Sequence, residues 1–172
     1  MTAIYFAYGS NLHPLRLRER VPSAVVLGPG TLAGHVLHFD KRGRDGSAKC
    51  DARSTDVAAD QVLGVLYRLA EPDVELLDRH EDGGRSYERV QVRVRAFDAD
   101  VEAFTYRATA EWIDPTLVPW DWYKALVLVG ARHHGFAPAY VDAIGALPSR
   151  PDPDRDRSAE HAALLARIAA SG

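Results

Sequence analysis

The sequence predicts an α+β fold in which a mainly antiparallel, barrel-like β-sheet is flanked by helices. Two observations predict the sheet: the alternating stretch Glu88–Phe97 is followed after a turn by Val101–Arg107, and a short apolar run spans Val62–Leu69. Alternation with period two is typical of a half-buried strand, and two such stretches joined by a short turn favour an antiparallel hairpin. A third observation predicts the helices, because prolines stand at the first turn of two separate segments.

The predicted strands begin at Ala3–Tyr8, where larger apolar residues alternate with smaller ones until Gly9-Ser10-Asn11 breaks the run. Val62–Leu69 is rich in β-branched and aromatic residues and too short for a typical helix, so it predicts a buried strand. In Glu88–Phe97, valines lie on one side and arginines on the other, which predicts one solvated face. We place the hairpin turn at Asp98-Ala99-Asp100.

The predicted helices begin at Pro72. Pro72 opens a short helix that ends at about Glu81, before two glycines. Trp120–His133 is apolar all round, as a buried helix would be, and Ala139–Leu147 follows Pro138.

The last residues form a separate segment in this interpretation. The Pro- and Asp-rich stretch Leu147–Arg157 predicts a solvated linker, and Ser158 could cap a terminal amphipathic helix. We therefore divide the chain into a domain at 1–147 and a linker with a C-terminal helix at 148–172.

Composition narrows the function. With 172 residues, 47% of them apolar and 26% charged, the chain can bury a core, and disordered or fibrous classes are excluded. The formal net charge of −3 shows no basic surplus, so we expect no nucleic-acid partner. No apolar run could span a bilayer and the first residues lack a signal-peptide pattern, so we expect no membrane partner and a cytoplasmic location. Cys50 is the only cysteine, which excludes an intramolecular disulfide.

The loop Gly9-Ser10-Asn11 is the first candidate for a binding site. Its residues favour turns, and such a turn can leave backbone N–H groups pointing outward to bind an anion or oxyanion. A simple β-turn explains the same residues, because short turn motifs are common. Ser10 lacks the G-x-S-x-G elbow of a nucleophilic serine, so we interpret it as a loop former.

Glu81 is the candidate for acid–base chemistry. Val74, Leu77 and Glu81 are spaced i, i+3 and i+7, which places the carboxylate on the apolar stripe of the short helix. Burial and the negative end of the helix dipole would both favour the protonated form, which suits a proton carrier near neutral pH. A surface position, or an ion pair with one of the many arginines, explains Glu81 equally well.

Five segments, in order, are similar to one protein family. They are YGSNL at 8–12, FDKRGRDGSAKC at 39–50, GVLYRL at 64–69, LLDRHE at 76–81 and WYKALVLVGARHHGFAPAYV at 122–141. They resemble the signature loop, the DGS-containing segment, the central strand, the helix ending in the catalytic glutamate and the C-terminal helices of the γ-glutamyl cyclotransferase (AIG2-like) family. The resemblance extends to about Leu147 and implies the fold and activity of that family.

The resemblance also implies a role for each site residue. Glu81 would shuttle protons, and the γ-glutamyl moiety would be held, largely through backbone groups, by Tyr8, Gly9, Ser10, Asn11 and Leu12. Three tyrosines near the cavity would help to bind substrate: Tyr87, Tyr106 and Tyr123. Ordinary packing explains any one of these tyrosines at least as well. The implied partner is a small γ-glutamyl compound, and a homodimer is implied by the resemblance alone.

The implied reaction is an intramolecular cyclisation to 5-oxoproline. The α-amine of the substrate attacks its own γ-carbonyl and expels an amine, so holding the substrate folded supplies much of the acceleration. One carboxylate can take the ammonium proton and later protonate the leaving amine, while loop N–H groups stabilise the oxyanion. We therefore expect neither a metal nor another cofactor.

Other features support weaker hypotheses. The pairs His35/His38 and His133/His134 match no common metal-ligand pattern, so packed or solvated histidines are expected. The arginines at 16, 18 and 20 predict a solvated face. Lys49-Cys50-Asp51 departs from the family, in which we expect smaller residues after the DGS segment, and this departure concerns the leaving-group side of the substrate. The alternative function is a non-catalytic module on the same fold that binds a small carboxylate or a protein.

Overall fold

The computed structural model describes residues 1–55, 57–81 and 84–171, and it confirms the predicted α+β fold. Within these ranges the strands are β1 Thr2–Ala7, β2 Val25–Ala33, β3 His35–Arg42, β4 Ala48–Ser54, β5 Gln61–Ala70, β6 Tyr87–Ala96 and β7 Ala99–Ala108. The helices are α1 Pro14–Arg20, α2 Glu71–His80, α3 Asp121–His133, α4 Pro138–Ala146 and α5 Arg155–Ala170, with a 3₁₀ turn at Ala110–Trp112. None of these helices combines the length and apolar character needed to cross a membrane.

Five strands close a barrel in the order β1-β5-β2-β6-β7. Neighbouring strands are antiparallel except where the barrel closes, at the parallel pairing of Tyr5 with Phe104. Closure leaves no free edge in this sheet and lets apolar side chains such as Phe6 and Leu66 be fully buried. The loop after β1 therefore emerges at one end of a rigid barrel.

The strands β3 and β4 form a separate two-stranded hairpin beside the barrel. Its register shifts between Phe39 and Lys41, which marks a β-bulge at Asp40. The backbone N–H of Ala108 in β7 donates to Asp51 Oδ1 at 2.9 Å, so the hairpin is fixed against the barrel.

Sequence patterning located about two thirds of the strands and α-helices. The predicted strands at β1, β5, β6 and β7 and the helices α2, α3, α4 and α5 are present, whereas α1 and the strands β2, β3 and β4 were not predicted. β2 escaped prediction because Gly28-Pro29-Gly30 interrupts it. The hairpin turn was placed wrongly: Phe97 and Asp98 form it, with φ of 52° and 60°, since a two-residue turn of this hand matches the strand twist.

The C-terminal segment packs on α3. Asp154, not Ser158, is the N-cap of α5, because its carboxylate accepts from the N–H of Arg157 at 3.0 Å. In the stretch predicted as a linker, Asp152 accepts from Trp122 Nε1 at 2.7 Å. Further along, buried α5 residues pack against Leu126 of α3. The division of the chain at residue 147 stays a prediction.

Candidate active site

The loop after β1 forms both a turn and a set of available donors. The N–H of Leu12 donates to the carbonyl of Gly9 at 3.1 Å, which closes a β-turn. The N–H groups of Ser10 and Asn11 have no hydrogen-bond partner within the described ranges, so they can donate to a ligand. The two interpretations of the loop are therefore compatible.

Two glycines allow close packing around this loop. A Cβ on Gly9 would come within 3.1 Å of the Cβ of Cys50 in β4. A Cβ on Gly130 of α3 would overlap the Cβ of Leu12 and crowd the backbone of His13. The loop is therefore held between the β3–β4 hairpin and α3.

Glu81 reaches the loop from the end of α2. It is the residue that caps the helix, and its N–H donates to the carbonyl of Leu77 at 2.9 Å. Its side chain is 16% exposed, and its Oε1 accepts from Asn11 Nδ2 at 3.0 Å and from Arg20 Nη1 at 3.1 Å. The same Arg20 nitrogen donates to Asn11 Oδ1 at 3.2 Å. The inward position and the arginine pair, offered as alternatives from the sequence, thus occur together.

We call the small cavity at the loop the inner pocket. It has a volume of about 30 Å³, and eight of the nine predicted site residues line it: Tyr8, Gly9, Ser10, Asn11, Glu81, Tyr87, Tyr106 and Tyr123. Leu12 lies outside it, because its side chain is buried and its carbonyl accepts from the hydroxyl of Tyr67 at 2.6 Å. Tyr5 and Cys50 complete the lining.

The tyrosine hydroxyls of the inner pocket bind other parts of the protein. Tyr87 donates to the carbonyl of Cys50 at 2.6 Å, and Tyr123 accepts from the N–H of Cys50 at 2.9 Å. Tyr8 donates to the carbonyl of Tyr106 at 2.5 Å, and the hydroxyl of Tyr106 donates to Asp78 at 2.6 Å. Burial raises the pKa of all four phenols, so they stay neutral at physiological pH. Their contact with substrate stays a prediction.

A second cavity, which we call the outer pocket, adjoins the inner one. It has a volume of about 220 Å³ and shares with the inner pocket Ser10, Glu81, Tyr87 and Tyr123. Its other charged lining residues are mostly cationic: Arg16, Arg20, Lys41, Arg44 and Lys49, against Asp45. His80 also lines this pocket, and burial lowers the pKa of its imidazole. Glu81 therefore stands at the junction of the two pockets, with basic residues on the outer side.

The prediction of a solvated arginine face on α1 was wrong. The side chains of Arg16 and Arg20 are only 13% and 19% exposed and line the outer pocket, while Arg18 on the other side of the helix is exposed. Because α1 was not predicted as a helix, its sequence could not show which arginines share a face.

Several pocket residues were not predicted as site residues. Lys41 and Trp122 lie within segments that resemble the family, so proximity to recognised segments was an available signal. Lys49 was named only in the departure Lys49-Cys50-Asp51, and it lines the outer pocket. Tyr5 and Arg20 gave no local signal, because only the barrel and the packing of α1 bring them to Glu81.

The histidines form a packed group behind the loop. The ring of His13 lies 4.4 Å from that of His133, measured between centroids, and His133 lies 4.8 Å from His134. Burial, and next the neighbouring histidines, lower the pKa of His13 to about 4. Within residues 1–55, 57–81 and 84–171, no group of three or more His, Cys, Asp or Glu side chains could hold a metal ion.

The chain is similar in sequence to proteins of one family. A sequence model described as the AIG2-like family matches residues 61–144. A mouse protein named gamma-glutamylcyclotransferase is 27% identical over 149 residues, which are 85% of this chain and 79% of the mouse protein. Gamma-glutamyl cyclotransferase gliK of Aspergillus fumigatus is 29% identical over 174 residues, which cover 87% of this chain and 63% of the fungal protein.

A solved structure shares the fold over nearly the whole chain. It is described as gamma-glutamyl cyclotransferase, and it superimposes with a TM-score of 0.81 at 20% identity, covering 97% of this chain and 99% of its own. The barrel, the hairpin and the helices are therefore a known architecture.

Proposed function

This chain belongs to the γ-glutamyl cyclotransferase (AIG2-like) family, and we propose that it cyclises the γ-glutamyl moiety of a γ-glutamyl amino acid or amine to 5-oxoproline. The free amine is the second product. The observation that carries the proposal is the position of Glu81: a carboxylate that is mostly buried, held by Asn11 and Arg20, and exposed to two adjoining pockets.

In the proposed complex, the γ-glutamyl moiety binds at the loop and the leaving amine lies in the outer pocket. The inner pocket admits one small polar group, to which the N–H groups of Ser10 and Asn11 can donate. The γ-carbonyl then lies near the junction, beside Glu81. A folded substrate places its α-amine against its own γ-carbonyl, which supplies much of the rate acceleration.

Glu81 takes up and returns one proton in this mechanism. It first takes a proton from the α-ammonium, so that the nitrogen lone pair attacks the γ-carbonyl carbon and closes the five-membered ring. The tetrahedral oxyanion is stabilised by loop N–H groups. Collapse breaks the original amide C–N bond as Glu81 returns its proton to the leaving nitrogen, and the ring nitrogen passes its surplus proton to the released amine. The products are 5-oxoproline and one amine in its ammonium form, and Glu81 ends ionised.

The contacts of Glu81 with Asn11 and Arg20 suit both steps. They hold the carboxylate at the junction of the two pockets, where it can take a proton and return it. We also propose that Tyr8–Leu12 and the three tyrosines 87, 106 and 123 bind the substrate, and that the reaction needs no metal or cofactor and occurs in the cytoplasm.

The proposal is tested by incubating the purified protein with a panel of γ-glutamyl amino acids and γ-glutamyl amines and measuring 5-oxoproline. We expect turnover of at least one member. If no member yields 5-oxoproline while the same compounds bind, the non-catalytic binding module becomes the better description. Panel members that lack a free α-amine serve as controls, because they cannot cyclise.

A further inference from the structure

The outer pocket contains an ammonium group that has no anionic partner in the described part of the chain. Lys41 is 4% exposed, yet its Nζ makes no hydrogen bond or ion pair with another residue in the described part of the chain. It lies over the ring of Tyr87, 4.2 Å from the centroid, and 5.7 Å from that of Trp112. Aromatic faces compensate only part of the hydration that such a cation loses.

The neighbouring charges do not supply the missing partner. Lys49 forms an ion pair with Asp45 at 2.7 Å, and Arg20 forms one with Glu81 at 3.1 Å. Arg16 is itself paired with Glu19 at 3.5 Å, although its buried Nε has no hydrogen-bond partner among the described residues. The outer pocket therefore presents one cationic group, Lys41, with which an external anion can pair.

The backbone directs Lys41 to this position. Lys41 follows the β-bulge at Asp40, and bulges re-aim the side chains next to them. Its backbone also forms a bridge with Ile113, which fixes this part of the hairpin against the segment after β7. The ammonium is thus held in place before any ligand binds, which lowers the entropic cost of binding.

We propose that Lys41 is a specificity-determining residue that binds an acidic group on the leaving amine of the substrate. The inference rests on the proposed function and decides between its two substrate classes. Lys41 lines the outer pocket but not the inner one, whereas the loop and the tyrosines that would hold the γ-glutamyl moiety line the inner pocket. An acid on the leaving amine therefore meets Lys41, and an uncharged leaving amine leaves it unpaired.

A matched pair of substrates tests this assignment. γ-Glutamyl-alanine and γ-glutamyl-ethylamine differ only in the carboxylate on the leaving amine. We expect the wild type to prefer γ-glutamyl-alanine, and Lys41→Met to reduce this preference in kcat/KM by about tenfold or more, since a charge-assisted contact is lost. Turnover of γ-glutamyl-ethylamine should hardly change. Lys41→Arg should restore most of the preference, and Arg93→Met, an exposed residue far from the pockets, should leave both values unchanged.

The outcomes separate this inference from the proposed function. An unchanged preference in Lys41→Met, or an equal loss for both substrates, would overturn the role of Lys41 while leaving the cyclisation standing. If the wild type makes 5-oxoproline from neither compound, the wider substrate panel decides the proposed function, and calorimetric binding of both compounds to the wild type and to Lys41→Met still decides the role of Lys41. Tighter binding of γ-glutamyl-alanine that disappears in Lys41→Met supports the assignment, and equal binding contradicts it.

Discussion

The inner and outer pockets share Glu81 but differ in how their polar groups are satisfied. In the inner pocket the tyrosine hydroxyls are bonded to the backbone of Cys50 and Tyr106 and to Asp78. In the outer pocket Lys41 Nζ and Arg16 Nε have no such partner within the described ranges. The hydrogen bonds therefore keep the inner pocket rigid, whereas the ammonium of Lys41 lets the outer pocket attract an anion. Glu81, the candidate proton carrier, lies between the two pockets.

Removing the carboxylate at the junction should have the largest effect. Glu81→Gln keeps the size of the side chain and can still accept from Asn11 and Arg20, so the fold should persist. Without a proton carrier, kcat should fall by about 100- to 10,000-fold. The measurement is 5-oxoproline release at saturating substrate, with a circular dichroism melt to check folding. Glu75→Gln, an exposed neighbour on α2, is the matched control, and full turnover by Glu81→Gln would refute the assigned role.

Crowding the loop of the inner pocket should come next. In Gly130→Ala the new methyl group would overlap Leu12 and press on the loop backbone, so we expect a loss of about 3 kcal/mol in the free energy of unfolding and weaker substrate binding. Urea denaturation and KM measure the two effects. Gly145→Ala in α4 meets no atom within 4 Å and should be neutral or slightly stabilising. Equal behaviour of the two variants would show that the contact with the loop is unimportant.

Removing one polar group from each pocket should change the free energy of unfolding by different amounts. Tyr123→Phe leaves the buried N–H of Cys50 without an acceptor, which should cost about 1–2 kcal/mol of stability. Lys41→Met removes a charge that has no anionic partner within the described ranges, so it should not destabilise the protein. Chemical denaturation of both variants is the test. Loss of stability in Lys41→Met comparable with that in Tyr123→Phe would contradict the comparison.

Alkaline pH should affect only the outer pocket. Burial lowers the pKa of Lys41 to about 8, against the opposing influence of Glu81, while burial raises the pKa values of the inner tyrosines above their usual value. Arg44, Asp45 and Lys49 also face Lys41. As the pH rises from 7 to 9, Lys41 loses its charge, so the preference for γ-glutamyl-alanine over γ-glutamyl-ethylamine should fall by at most about tenfold.

Comparing the ratio of kcat/KM values at each pH cancels titrations that both substrates share. Lys41→Arg should keep its preference at pH 9, because a guanidinium stays charged. A parallel decline in this variant would assign the effect to another group, such as Lys49, whose pKa burial also lowers.

Local patterns were sufficient for the parts of the site that belong to regular elements. The alternation in β6, the proline start of α2 and the turn residues after β1 each depend on neighbours in sequence, so they could be predicted. The spacing of Val74, Leu77 and Glu81 likewise placed the carboxylate towards the interior. The sequence by itself thus determined the fold class, the loop and the candidate proton carrier.

Only the tertiary structure shows which charged side chains meet at the site and which distant segments bring them there. Arg20 meets Glu81 across 61 residues of sequence, and Lys41 reaches the same cavity only through a bulged hairpin beside the barrel. A local pattern cannot predict such pairs, because side-chain periodicity reports which face is buried and not which distant residue covers it. The unpaired state of Lys41 is a property of the whole pocket, since it depends on every neighbouring acid already being bound to another cation.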